Sequence, residues 1–228
     1  VEGAGIDEGS RVVELAPGLG VTAAELVAPG PRPWTGVEPD PLAAAHLARG
    51  LGGSGRTVLR APVDATGLEA GAASAVVATA LLSPLTAEGR ASTLAEAARL
   101  LRAGGRVAIV DLAPAPGHED DAELRGAMAG AGVDLLSEEA WRAAAEAAGL
   151  VVVGSTSGPL RMPAPHELMR DAGPRTALKI TREVASDGAV RGPAMALRQL
   201  LDAREVDLRA VVVVAEVPLI LGMRRPRR

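Results

Sequence analysis

The chain has 228 residues, enough for one domain with a sizeable core, and its net charge of −4 gives no basic footprint for nucleic acid. It holds no cysteine, which excludes disulfides, thiolate metal sites and cysteine nucleophiles. No apolar run reaches the ~18–20 residues of a membrane span, and no charged-then-apolar leader opens the sequence, so a cytoplasmic location is expected.

Hydrophobic residues make up 48% of the chain, yet it contains no Phe and no Tyr. The core must be built from Val, Leu, Ile and Ala around Trp34 and Trp141. Lys179 is the only lysine. The chain begins at Val1 with the first strand close behind, so a further N-terminal helix is expected to be missing from it.

In chain order, "RVVEL" (11–15) reads as a strand and "VTAAELVA" (21–28) as a helix stopped by "PGPRP". "WTGVEP" (34–39) is a second strand. The helix at 40–51 follows it, with Asp40 as N-cap and Pro41 at its first position. "RTVLRAPV" (56–63) and "SAVVATALL" (74–82) are the third and fourth strands. Thr86 to Arg102 is an amphipathic helix ending in "AGG", and "RVAIVDL" (106–112) is the fifth strand. The Gly/Pro-rich stretch 113–132 reads as a loop or lid.

Ser137 opens a helix at 137–149 that Gly149 stops, and "LVVVGSTS" (150–157) is the sixth strand. Residues 159–207 read as mostly helical, with Leu168, Met169, Leu178, Ile180, Val184, Met195, Leu197, Leu200 and Leu201 at roughly helical spacing. "LRAVVVVAEVPL" (208–219) is the seventh strand. Alternating strands and helices predict an α/β protein: one doubly wound, mostly parallel sheet, with a helical cap insertion at 159–207 within a single domain spanning 1–228.

Three features fall at the C-terminal ends of successive predicted strands, where open α/β sheets bind ligands. In "ELAPGLG", Glu14 ends a strand, and Gly18 and Gly20 allow close backbone approach ahead of a helix N-terminus. In "TGVEPD", Glu38 lies about twenty residues on, where a carboxylate can accept from ribose hydroxyls. In "APVDAT", Asp64 can accept from an exocyclic amine. Two ligands fit: a dinucleotide or S-adenosylmethionine. The second is favoured: Ala23 stands at the third glycine of a dinucleotide fingerprint, a position where alanine is also accepted, but no tyrosine exists for short-chain dehydrogenase chemistry and none of His46, His118 and His166 has an obvious catalytic placement.

"VVELAPGLG", "GVEPDPLAAAHLA", "PVDATGLEAGAASAVVATALL" and "EAARLLRAGGRVAIVDL" together resemble, in order and spacing, the motifs of class I S-adenosylmethionine-dependent methyltransferases. The resemblance covers about 10 to 155. Two positions depart from the pattern: Ala16 stands at the first glycine of the turn and Ala103 at the usual proline before the double glycine.

The resemblance implies a Rossmann-like seven-stranded sheet whose last strand is antiparallel. It implies that Glu14 orients the turn near the methionine ammonium, and that Ala16, Gly18 and Gly20 pass under methionine and ribose. Glu38 would hold the ribose hydroxyls, Asp64 and Ala65 the adenine amine and ring edge, and Thr79 the methionine end. Pro39 and Leu68 would sandwich the adenine. The implied reaction is transfer of a methyl group to a small-molecule acceptor. The 159–207 insertion departs from a minimal member of the family and reads either as a helical cap packed on the sheet edge or as a roof over the acceptor pocket that selects an apolar or lipid-like acceptor. No metal site and no specific catalytic residue is read from the sequence; His118 and His166 are candidate bases on expected loops. The oligomeric state is open, a homodimer being compatible.

Overall fold

The structure is a computed structural model that describes residues 5–18, 20–27, 33–160 and 188–219. Its elements run β1 (Val12–Leu15), α1 (Val21–Val27), β2 (Trp34–Val37), α2 (Pro41–Gly50), β3 (Arg56–Leu59), β4 (Ala73–Thr79), α3 (Ala87–Leu100), β5 (Leu101–Pro114), α4 (Ala122–Gly130), α5 (Glu138–Ala147), β6 (Val151–Pro159), α6 (Gly188–Ala203) and β7 (Leu208–Glu216).

The strands form one seven-stranded sheet in the order β3-β2-β1-β4-β5-β7-β6. The first five are parallel, and β7 lies antiparallel between β5 and β6. The order reverses at β1/β4, the switch point where such sheets open a crevice.

Both faces of the sheet are covered, so its central strands are apolar throughout rather than alternating. Val13, Leu15, Val76 and Ile109 face one layer with Leu94, Leu100 and Trp141. Val12, Ala75 and Val77 face the other with Ala23, Leu26 and Trp34. Trp34 and Trp141 are both fully buried and supply the bulk that Phe and Tyr would otherwise give. The helices start where side chains cap them: Asp40 accepts from Leu42 and Ala43 N–H, Thr86 from Gly89, Asp121 from Leu124 and Ser137 from Ala140.

The structure corrects several sequence boundaries. The stretch 113–132 is not all loop: it carries α4, whose Leu124 and Met128, one turn apart, are fully buried. Those two residues join Leu135, Leu160, Leu201 and Leu208 in a third apolar cluster, with Leu197 and Leu200 packed against it. The "AGG" expected to end a helix lies inside β5, which runs from Leu101 to Pro114: Leu101 pairs with Ala73 of β4 across an irregularity that takes up 102–105, and β7 pairs from Arg106 to the end. β3 stops at Leu59 and β4 at Thr79, leaving the segments after them free to build a site.

Of the expected cap, 188–203 is helical, and Leu197, Leu200 and Leu201 pack on α4. Leu168, Met169, Leu178, Ile180, Val184 and His166 lie outside the described residues. Among the described residues no helix is long and apolar enough to cross a membrane.

Candidate cofactor site

The turn after β1 folds back under the end of β2. Ala16 N–H donates to Val37 C=O at 2.8 Å and Gly20 N–H to Pro17 C=O at 2.9 Å. Gly18 and Gly20 have φ of +57° and +83°. Ala16 has φ +47°, not the negative φ that would make alanine free of strain there, so this departure from the family pattern costs about 1 kcal/mol.

The two glycines serve different ends. A Cβ on Gly18 would meet nothing within 4 Å among the described residues. A Cβ on Gly20 would lie 2.7 Å from Leu47 Cδ2 and 3.0 Å from Leu51 Cδ1, so this glycine lets α1 pack against α2.

Glu38 joins the two strand ends. Its Oε2 accepts from Gly18 N–H at 2.8 Å and its Oε1 from Asp40 N–H at 3.0 Å, while the residue is only 4% exposed. Asp40, not Glu38, caps α2. Each Glu38 oxygen keeps a lone pair beyond these bonds.

Glu14 lies within β1, ahead of the turn, and is buried. It is 1% exposed, and Trp34 Nε1–H donates to its Oε2 at 3.0 Å. Burial pushes its carboxyl up to about 7, against the opposing pull of the Trp34 bond. The same indole presses on the backbone of Gly36: a Cβ there would lie 2.5 Å from the ring and 3.1 Å from Pro17 Cγ. Trp34, Glu14, Gly36 and Pro17 thus form a packed support for the glycine turn.

Asp64 is exposed in the segment after β3, with Ser92 Oγ donating to its Oδ2 at 3.3 Å. Ala65 is exposed beside it. The segment is tied to α3 by groups that the sequence reading missed. Thr66 N–H and Oγ1–H donate to Glu96 Oε1 at 3.0 and 2.5 Å. Arg99 donates to both Glu96 oxygens and to Leu68 C=O. Arg99 beside it, with the Thr66 donors, holds Glu96 down at about 2. The i,i+3 spacing of Glu96 and Arg99 on a predicted helix was the available signal.

Thr79 ends β4, and its Oγ1 is buried with no hydrogen-bond partner among the described residues. Ala80 follows with φ +51°. The turn, Glu38 and Thr79 therefore lie just past the ends of three adjacent strands, β2, β1 and β4. His118 is turned elsewhere: Nδ1 lies 3.5 Å from Asp121 Oδ2 and Nε2 3.6 Å from Asp207 Oδ1, so both ring nitrogens face carboxylates.

No protein-family model matches the chain, and no curated protein matches it. Solved structures do. The [4+2]-cyclase SpnF matches with a TM-score of 0.72 at 18% identity, over 96% of this chain and 78% of that one. Geranyl diphosphate methyltransferase, in complex with geranyl diphosphate and sinefungin, matches at 0.64 and 17% identity, over 93% and 73% of the two chains. Geranyl diphosphate C-methyltransferase from Streptomyces coelicolor A3(2), in complex with Mg2+, geranyl diphosphate and S-adenosyl-L-homocysteine, matches at 0.63 and 15%, over 92% and 73%. With the strand order and the antiparallel β7, these likenesses establish that the chain has the fold of class I methyltransferases.

Proposed function

We propose that the chain binds S-adenosylmethionine in the cradle beyond β1, β2 and β4 and transfers its methyl group to a small-molecule acceptor. One observation carries the reading: the 2.8 Å bond from Gly18 N–H to Glu38, twenty residues apart, which draws the glycine turn and the acidic strand end into one site. The residues present fit the group. Among the described residues a Cβ on Gly18 would meet nothing within 4 Å, and Thr79 holds a buried hydroxyl without a partner.

In this reading Glu38 holds the ribose hydroxyls with the lone pairs that Gly18 and Asp40 leave. The backbone of Ala16, Gly18 and Gly20 passes under ribose and methionine. Asp64 and Ala65 take the adenine amine and ring edge, between Pro39 and Leu68. Thr79 meets the methionine end. Glu14 acts from below, by holding Trp34 against the turn.

When bound, S-adenosylmethionine supplies an electrophilic methyl on a positively charged sulfur. The chain's own residues orient the two partners and exclude water. The likeness to a methyltransferase structure that holds geranyl diphosphate supports an apolar or lipid-like small molecule as acceptor.

Calorimetry with S-adenosylhomocysteine and with NADH tests the reading. Binding of the first at about micromolar level, or −8 kcal/mol, and its loss in Glu38→Ala and Asp64→Ala are expected. Binding of NADH alone overturns it. The similarity to a [4+2]-cyclase, at a TM-score of 0.72, favours a second reading in which this fold binds the cofactor without methyl transfer. Label from methyl-tritiated S-adenosylmethionine failing to reach any molecule in a metabolite extract, while S-adenosylhomocysteine still binds, would select that alternative.

A further inference from the structure

The segment from Ala80 to Leu85 leaves β4 beside Thr79 and runs to the cap of α3 without helical or strand structure. An irregular segment normally leaves backbone groups to water. Here every backbone polar atom of Leu82 and Ser83 is held by a specific partner. Asp111 Oδ2 accepts from Leu82 N–H at 3.0 Å and from Ser83 N–H at 3.1 Å. Asp111 Oδ1 accepts from Ser83 Oγ–H and, at 2.8 Å, from Leu112 N–H.

The carbonyls are held from the other side. Arg90 donates to Leu85 C=O at 3.0 Å and, at 3.5 Å, to Leu82 C=O, which also accepts from Leu85 N–H at 3.1 Å. Asp134 N–H donates to Ser83 C=O at 2.8 Å, and the Asp134 carboxylate pairs with Arg90 at 2.5 Å. Asp111 and Arg90 are buried, 5% and 6% exposed, and the Arg90 guanidinium lies 5.9 Å from the centre of the Trp141 ring.

Burying a carboxylate and a guanidinium is costly unless each is fully bonded. Most of their bonds fall on residues 82–85: Asp111 takes the N–H groups of Leu82 and Ser83, and Arg90 the carbonyls of Leu82 and Leu85. None of these bonds reaches the glycine turn, Glu38 or Asp64, so the network serves one end of the site only.

We propose that Asp111 and Arg90 are positioning residues that fix the 80–85 segment, and through it Thr79, so that the wall beyond β4 is preshaped for the amino-acid end of the cofactor and the incoming acceptor. The proposal rests on the cofactor reading above. Asp111→Asn replaces one carboxylate oxygen by a donor, which confronts two of the four N–H or O–H donors with another donor.

The test compares two probes by calorimetry: S-adenosylhomocysteine, which carries the amino-acid end, and 5′-methylthioadenosine, which lacks it. In Asp111→Asn the first is expected to bind about tenfold more weakly and the second within about twofold of the parent. Hydrogen exchange is expected to quicken at the Leu82 and Ser83 amides and to stay unchanged at Gly18. Equal weakening of both probes, or of neither, overturns the proposal. Failure of the parent protein to bind either probe overturns the cofactor reading instead, and this one with it. If Asp111→Asn does not fold, Ser83→Ala removes a single donor and is expected to give the same pattern at smaller amplitude. Equal or absent effects on the two probes in that variant count against the proposal in the same way.

Discussion

Glu14→Gln isolates one proton. In the folded protein the Glu14 carboxyl is pushed up to about 7 by burial, from 4.5 when free. The native state therefore binds this proton more tightly than the unfolded chain does. That stabilisation is present in full below about pH 4.5, declines as pH rises, and is gone once pH passes about 7. The difference between the two values corresponds to about 3 kcal/mol.

Glutamine keeps an oxygen that can accept from Trp34 Nε1–H but cannot ionise. Its buried amide costs about 1–3 kcal/mol, and that cost does not change with pH. Urea unfolding followed by far-ultraviolet circular dichroism at pH 4.5, 5.5, 6.5, 7.5 and 8.5 gives the comparison, since every other titrating group cancels between the two proteins. Glu14→Gln is expected to gain on the parent as pH rises, by about 3 kcal/mol in total, with the change centred between about pH 5 and 7. A difference in stability that stays flat across this range would refute the reasoning.

Other outcomes follow from the same geometry. Gly36→Ala places a Cβ 2.5 Å from the Trp34 ring and is expected to destabilise by about 1–3 kcal/mol in urea melts. The two turn glycines should separate: Gly20→Ala, driven into Leu47 and Leu51, loses stability by roughly 2 kcal/mol or more, seen as a lower unfolding midpoint. Gly18→Ala has room for its Cβ and is expected to lose only the ~1 kcal/mol of backbone strain, while its affinity for S-adenosylhomocysteine falls further than its stability. Glu96, held at about 2 by Arg99 and Thr66, contributes stability that is present above about pH 4.5 and lost as pH falls through 2. Glu96→Gln is therefore expected to flatten the acid limb of the stability profile, and an unchanged limb would count against the Glu96–Arg99–Thr66 arrangement.

Local signals in the sequence carried the parallel half of the fold. "RVVEL" was read as a strand and β1 is its last four residues, Val12–Leu15, all buried as a doubly covered sheet demands. The caps at Asp40 and Ser137 were legible because the side chain and the helix it starts are neighbours in sequence. What escaped were effects of distant partners. β5 is fourteen residues long because two partners distant in sequence extend it: Ala73 of β4 pairs with Leu101, and β7, a hundred residues later, pairs from Arg106 to Pro114. α4 forms amid Gly and Pro because Leu112, Leu201 and Leu208 bury its Leu124 and Met128. At the site, the spacing that singled out Glu38 was sound evidence of proximity, but the role of Gly20 in helix packing has no local signature. Asp111 did leave a trace: an acidic residue in the apolar run "RVAIVDL", whose burial demanded donors, though not which ones.

The scarcity of aromatic residues has a practical consequence. Trp34 lies under the glycine turn against Glu14, and Trp141 lies on the opposite face of the sheet beneath Arg90, its Nε1–H bonded to Leu112 C=O at 2.9 Å. With no tyrosine and no other tryptophan in the chain, these two indoles are its only intrinsic tryptophan fluorophores. Each reports on a different half of the crevice: one on the turn and its carboxyl, the other on the wall beyond β4. Trp141→Phe and Trp34→Phe each leave one indole in place, so rapid mixing of the two variants in parallel would time events at the two halves separately, without a label.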